Sequence, residues 1–212
     1  MKLAVFSESE ADEAAIRILV DGLLGTTTER PAMPPRRSRG VGAVFSTLRS
    51  VIAHLHYRTD ADALVVVVDS DRTPLPAEEL SSSAEHRRQC RLYRLKELIA
   101  ETQAQLSEVP GRDPLKIAAG LAVPQVEAWY LVGRDPHVSE ATWATGLVSG
   151  RPPYTGGSLK QGVYGTDSPS FEVELARATE EASRIVADET LGSLKARFPA
   201  GFGALADAVQ GW

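Results

Sequence analysis

Four consecutive valines, residues 65–68, run directly into Asp69-Ser70-Asp71 and constrain this chain more than any other stretch. An apolar β-branched run that never alternates with polar residues has no solvent face. Residues 62–68 (DALVVVV) therefore read as a strand covered on both sides, as in parallel sheets whose crossover helices cover both faces. The two aspartates that follow raise a chemical question. A carboxylate at the end of a buried strand is costly unless a partner meets it. It caps the next helix, meets a phosphorylated substrate, or holds a metal.

The rest of the chain supplies the layers such a strand needs. Residues 2–6 (KLAVF) read as a short buried strand. Ile16, Leu19, Val20, Leu23 and Leu24 then recur at helical spacing from about Ala11 to Leu24, with Gly25 as C-cap. A polar, proline-rich connection covers 26–42. Phe45, Leu48, Val51, Ile52 and Leu55 follow on one helical face. One long helix is expected over 84–106, a third strand over 115–123, and a helix over 124–133 that starts at Pro124. A Gly/Pro-rich loop is expected over roughly 146–170, with two closing helices near 171–188 and 203–210. This order predicts an α/β fold with a mainly parallel central sheet, in one domain spanning 1–212.

Bulk properties exclude several classes. The chain has 212 residues, a net charge of −5 and one cysteine, Cys90, so no intramolecular disulfide framework exists and a reducing compartment fits. The apolar stretch in MKLAVFSESE is too short for a secretory signal. No apolar run approaches the roughly 18 residues that span a bilayer. The expectation is a cytoplasmic protein without membrane partners.

Ligands of open α/β sheets bind beyond the carboxyl ends of the strands. Asp69 lies at one such end and Glu8 just beyond another. On an extended strand Asp69 and Asp71 face the same way, about 6.5 Å apart. Three converging carboxylates call for a neutralising cation, and Mg²⁺ or Mn²⁺ with oxygen ligands and retained waters suits them. The structural alternative is that Asp71 opens a turn before Pro74 while Asp69 caps a nearby element.

FSESEADEAA (6–15) followed by VVVVDSD (65–71) resembles the Toprim fold, and small stand-alone Toprim-like bacterial proteins most closely. In this resemblance Glu8 matches the first glutamate, Asp12 and Glu13 the acidic pair, and Gly40/Gly42 a glycine-containing turn. Asp69 and Asp71 match the DxD, VEAWYLV (126–132) a late hEAWhh motif, and LKARFPAGFGALADAV (194–209) an apolar ending. Ser9 stands where that group has glycine. The resemblance implies a Rossmannoid three-layer fold and a Mg²⁺-dependent nuclease related to the overcoming-lysogenization-defect (OLD) type. Glu8, Asp69 and Asp71 would be catalytic and metal-binding, with Glu127 as a further metal ligand. It also implies a nucleic-acid substrate and a partner ATPase of the ABC or OLD kind in a phage-defence or repair system, and it is compatible with a homodimer.

Basic residues supply the expected nucleic-acid contacts. Arg87, Arg91 and Arg94 fall at i, i+4 and i+7 on one helical face, Arg36 and Arg37 lie in a loop, and Lys160 sits in GGSLKQGVYG. A solvated face paired with Glu97 and Glu101 is the alternative for the helical arginines. Two rival functions stay open. VVVVDSDRTPL also fits the hhhhDxDxT motif of haloacid-dehalogenase-like phosphatases, with Asp69 as nucleophile and Asp71 as acid/base, although no GDxxxD pair follows. A non-catalytic Toprim-like regulatory subunit is the other.

Overall fold

The computed structural model describes residues 1–35 and 39–212. Three parallel strands, β1 (Leu3–Phe6), β2 (Ala63–Asp69) and β3 (Lys116–Ala122), form a sheet in the order β1-β2-β3. The valine-rich strand is central, with Val65 opposite Val5 on one side and Ala118 on the other. Residues 63–68 are all buried, as a non-alternating strand requires.

Helices cover both faces. On one, α1 (Glu10–Leu24) packs against α8 (Phe171–Ala187) and α10 (Ala204–Gln210); on the other, α2 (Val41–Arg58) packs against α4 (Arg91–Ala104). The fold is thus an α/β three-layer arrangement with an open parallel sheet, and one apolar cluster runs through it from Leu3 to Val209. Gly25 caps α1 in the left-handed conformation (φ 65°) that glycine adopts without steric penalty. The chain then passes along β1, where the Leu3 N–H donates to Glu29 O at 2.9 Å and covers part of the sheet edge.

Three expectations need correction. The helix expected over 84–106 breaks at Cys90, whose backbone is extended (φ −75°, ψ 117°), into α3 (Ala84–Gln89) and α4. Nothing in α3 is buried, whereas Cys90, Leu92 and Leu95 are, so packing holds α4 alone and the polar AEHRRQ turn departs from its axis. Pro124 does not start a helix. The Val123–Pro124 bond is cis, and α5 (Val126–Tyr130) begins two residues later.

The expected loop over 146–170 contains α7 (Gly156–Tyr164), preceded by α6 (Glu140–Ser149). Thr155 and Ser158 form a capping box for α7, and Leu159 and Val163 bury one stripe at i, i+4. The glycines in GGSLKQGVYG disguise these signals. A short helix α9 (Leu191–Arg197) leads into a π-turn over Pro199–Gly203 before α10.

Candidate functional site

The carboxyl ends of β1 and β2 bring Glu8 and Asp69 together. Glu8 Oε1 accepts the Asp69 backbone N–H at 2.9 Å, and the Val41 N–H at the start of α2 also stabilises its charged form. Gly40, at φ 84°, precedes α2 and donates its own N–H to Glu8 O at 3.0 Å. Ser9 sits at φ −139°, ordinary extended backbone, and its hydroxyl caps α1 by accepting the Asp12 N–H at 3.1 Å. No glycine is needed there.

Beyond β2 the chain is fastened to the segment before α5. Ser70 N donates to Ala122 O at 2.7 Å and Asp71 N to Pro124 O at 2.8 Å. This places the Asp69 carboxylate at the first turn of α5, where Oδ1 accepts the Val126 N–H at 3.1 Å. Gln125, the N-cap residue, makes no side-chain cap of its own, so Asp69 supplies it. Asp71 takes another route. It adopts φ 47°, a left-handed turn that aspartate tolerates, and pairs with Arg91 Nη1 at 2.7 Å. That same Arg91 nitrogen donates to Asp69 O at 2.6 Å. The structural alternative raised by the sequence therefore holds in part: Asp69 caps α5 and Asp71 forms a turn.

Further acids complete the cluster. Asp12 on α1, Glu127 on α5 and Glu174 on α8 lie close together: the charges of Glu127 and Glu174 raise the proton affinity of Asp12, and that of Glu174 raises Glu127. Burial, then the neighbouring negative charges, push Asp69 well above the usual carboxylate range. Burial raises Glu8 and Glu127 as well. Asp12 is pushed up to about 7, chiefly by burial, while the Ser9 hydroxyl donating at 2.7 Å opposes the rise. Lys160 reaches in from α7 and stands 3.9 Å from both Glu127 and Glu174. The Tyr164 hydroxyl, one turn further along α7, donates to Glu127. Tyr130 is fully buried in the same region, and its hydroxyl has no hydrogen-bond partner among the described residues.

Among the described residues, no three His, Cys, Asp or Glu side chains already stand in position to close around one ion. The donor set is nonetheless carboxylate oxygen alone, the chemistry a hard divalent cation takes, and Mg²⁺ is commonly held by one or two carboxylates with waters and substrate phosphate completing the shell. Asp69 Oδ2 receives no hydrogen bond from the described residues. Glu8 and Asp69 are therefore the pair whose chemistry fits such an ion, with Glu127 beside them.

The basic residues expected to bind nucleic acid disperse. The break at Cys90 removes the common face of Arg87, Arg91 and Arg94. Arg87 pairs with Glu97 at 2.6 Å, Arg94 lies 4.6 Å from the Phe45 ring centroid, and Arg91 serves Asp71. Arg36 and Arg37 lie outside the described residues. Trp129 is fully buried, edge-on to Phe202, as a core residue.

Asp12, Glu174, Tyr130 and Tyr164 were not among the expected site residues. Asp12 had a local signal, since the first turn of α1 must begin at the strand end that carries Glu8. Glu174, on a distant helix, had none. No helix among the described residues is long and apolar enough to cross a membrane. Comparison of the chain with protein-family models, curated proteins and solved structures finds no match.

Proposed function

We propose that this protein is a Mg²⁺- or Mn²⁺-dependent phosphodiester hydrolase of the Toprim type, acting on nucleic acid at the carboxylate cluster. One observation carries the reading. Glu8 from the turn after β1, Asp12 from α1, Asp69 from the end of β2 and Glu127 from α5 converge at the sheet's carboxyl edge with proton affinities raised by burial and nearby negative charge. Such an arrangement is unfavourable unless a cation or protons relieve it, and perturbed carboxylates at a strand end are characteristic of reactive sites.

In this reading Glu8 and Asp69 hold the metal and Glu127 lies next to them. The ion would neutralise charge on the scissile phosphate and lower the pKa of a bound water. Asp12, a buried carboxyl beside Glu8 and Glu127, would accept the proton that the attacking water loses. Lys160 offsets the negative charge from the far side. Asp71 acts indirectly: its ion pair with Arg91 fixes the turn that aims Asp69. A partner ATPase, expected from the resemblance, and a cytoplasmic location, expected from the bulk properties of the chain, belong to this proposal.

The experiment is incubation of the pure protein with plasmid and with single-stranded oligonucleotides in Mg²⁺ or Mn²⁺, alongside calorimetric titration of each metal. Asp69→Asn and Glu8→Gln should abolish both cleavage and metal binding. Cleavage that persists in the Asp69→Asn/Glu8→Gln double variant would reject the assignment. Metal-free wild-type protein that never takes up either ion would favour the regulatory-subunit alternative.

A further inference from the structure

Beside the carboxylate cluster the surface opens into a cleft of about 460 Å³. Pro124 and Gln125 line it, Trp143 and Tyr154 wall it, and Arg72 and Arg91 reach it from the turn after β2 and from α4. The Trp143 and Tyr154 rings stack with centroids 5.4 Å apart and planes 26° from parallel. Thr155 and Gly156, which open the nine-residue helix α7, complete the lining. The first intrahelical bond there is Leu159 N–H to Thr155 O, and Ser158 N–H is taken by Thr155 Oγ1. The N–H groups of Gly156 and Gly157 therefore precede the helical ladder, at its positive end. Gly156 packs closely on the Gln125 side chain, whose Oε1 would lie 2.5 Å from a Cβ at 156 and would have to swing away.

Charge and unused polar groups suggest what this cleft takes. Asp71 is the one carboxylate among the described lining residues, and Arg91 already neutralises it at 2.7 Å, which leaves the exposed Arg72 in excess. The cleft is thus the cationic flank of a strongly anionic cluster. A phosphodiester approaching those carboxylates meets repulsion that a neighbouring cationic group offsets. Trp143 is 3% exposed, yet its indole N–H has no partner among the described residues, and neither does the buried Gln125 Oε1. Buried polar groups left unpaired are uncommon and call for an explanation.

We propose that the cleft seats one unpaired nucleotide of a nucleic-acid strand, with its phosphate between Arg72 and the first turn of α7 and its base laid on Tyr154. This rests on the phosphodiesterase reading of the neighbouring cluster and narrows its substrate to single strands or frayed ends. Volume and surface both fit. A pocket of this size admits one nucleotide, and a partly exposed aromatic ring is a sequence-tolerant platform for a base. A base within a duplex has both faces covered and must leave the stack to reach such a ring.

The test uses the full chain with Ca²⁺ in place of Mg²⁺, so that binding is read without hydrolysis. Fluorescence anisotropy follows a labelled, 5′-phosphorylated oligothymidylate and a blunt duplex of equal length, and ¹⁵N NMR follows a titration with thymidine 5′-monophosphate. The amide signals of Gly156 and Gly157 should shift. The single strand should bind at least tenfold more tightly than the duplex. Arg72→Ala should weaken binding roughly tenfold and reduce the slope of log K against log salt by about one, and Arg72→Lys should restore the slope. Arg72 is exposed, so circular dichroism should show each variant folded. Unmoved glycine amides, equal affinity for duplex and single strand, or an Arg72→Ala variant that binds like wild type would each overturn the proposal. Binding with the expected pattern but no cleavage in Mg²⁺ or Mn²⁺ would instead leave the cleft standing and remove the hydrolase reading.

Discussion

Neutralising Asp12 should stabilise the metal-free protein, and do so more at high pH than at low. Burial, aided by Glu127, Glu174 and Glu8, lifts its carboxyl from 3.8 to about 7. A carboxyl whose folded pKa lies above its unfolded value binds more protons in the folded state throughout that interval. Stability therefore falls as pH rises from about 4 to 7 and stays low above it. At 1.36 kcal/mol per pK unit, the charged group costs the fold about 4 kcal/mol at pH 8 and about 1.5 kcal/mol at pH 5. Relaxation of the coupled neighbours reduces both figures, so a differential of about 2 kcal/mol is the quantity to measure. Asparagine keeps an acceptor for the Ser9 hydroxyl and nearly the same shape. Urea unfolding of wild type and Asp12→Asn at pH 5, 6, 7 and 8 in EDTA reads the difference directly. The variant's advantage should widen by about 2 kcal/mol from pH 5 to 8, and millimolar Mg²⁺ should shrink it. An advantage that is flat across this range would show that Asp12 keeps an ordinary proton affinity, and the account of a charge-frustrated cluster would fail with it.

Other parts of the molecule give sharper stability tests. Glu140 is 7% exposed and accepts the Ala200 and Gly201 N–H groups of the π-turn at 3.2 and 3.0 Å, so Glu140→Ala should cost about 2–4 kcal/mol and lower the midpoint of thermal unfolding by several degrees. Gly201 packs directly on the Leu121 carbonyl at the end of β3, and Gly201→Ala should destabilise by about 1–3 kcal/mol in the same melt. Arg112 donates to the Leu55, His56, Thr59 and Ala61 carbonyls, joining the end of α2 to the entry of β2. Arg112→Ala should cost about 2–4 kcal/mol in urea unfolding, and Arg112→Lys, which lacks the forked donors, should recover less than half.

Legibility followed the range of the forces involved. The central strand, α1, α8 and α10 could be read from apolar spacing and capping residues because those signals lie within a few turns of chain. The break at Cys90 could not, because it follows from which side chains the sheet buries, and residues 84–106 keep a continuous helical pattern across it. The helix α7 was hidden by composition: its three glycines argue against helix, while its burial of Leu159 and Val163 is visible only once α5 and α8 are in place. Within the site, the approach of Glu8 to Asp69 was legible from the rule that ligands meet the carboxyl ends of parallel strands. The diversion of Asp71 to Arg91 was not, since those residues meet only through the break before α4.

By itself the sequence determined that a buried parallel strand ends in acidic residues and that helices must clothe it, because β-branched runs and helical stripes are local consequences of side-chain shape. Tertiary structure alone decided which acids share one patch of low-dielectric space, which arginine is drawn off as a counter-ion, and that Lys160 joins the carboxylates. Electrostatic coupling depends on distance in space, and residues 8, 12, 69, 127 and 174 become neighbours only when five elements pack.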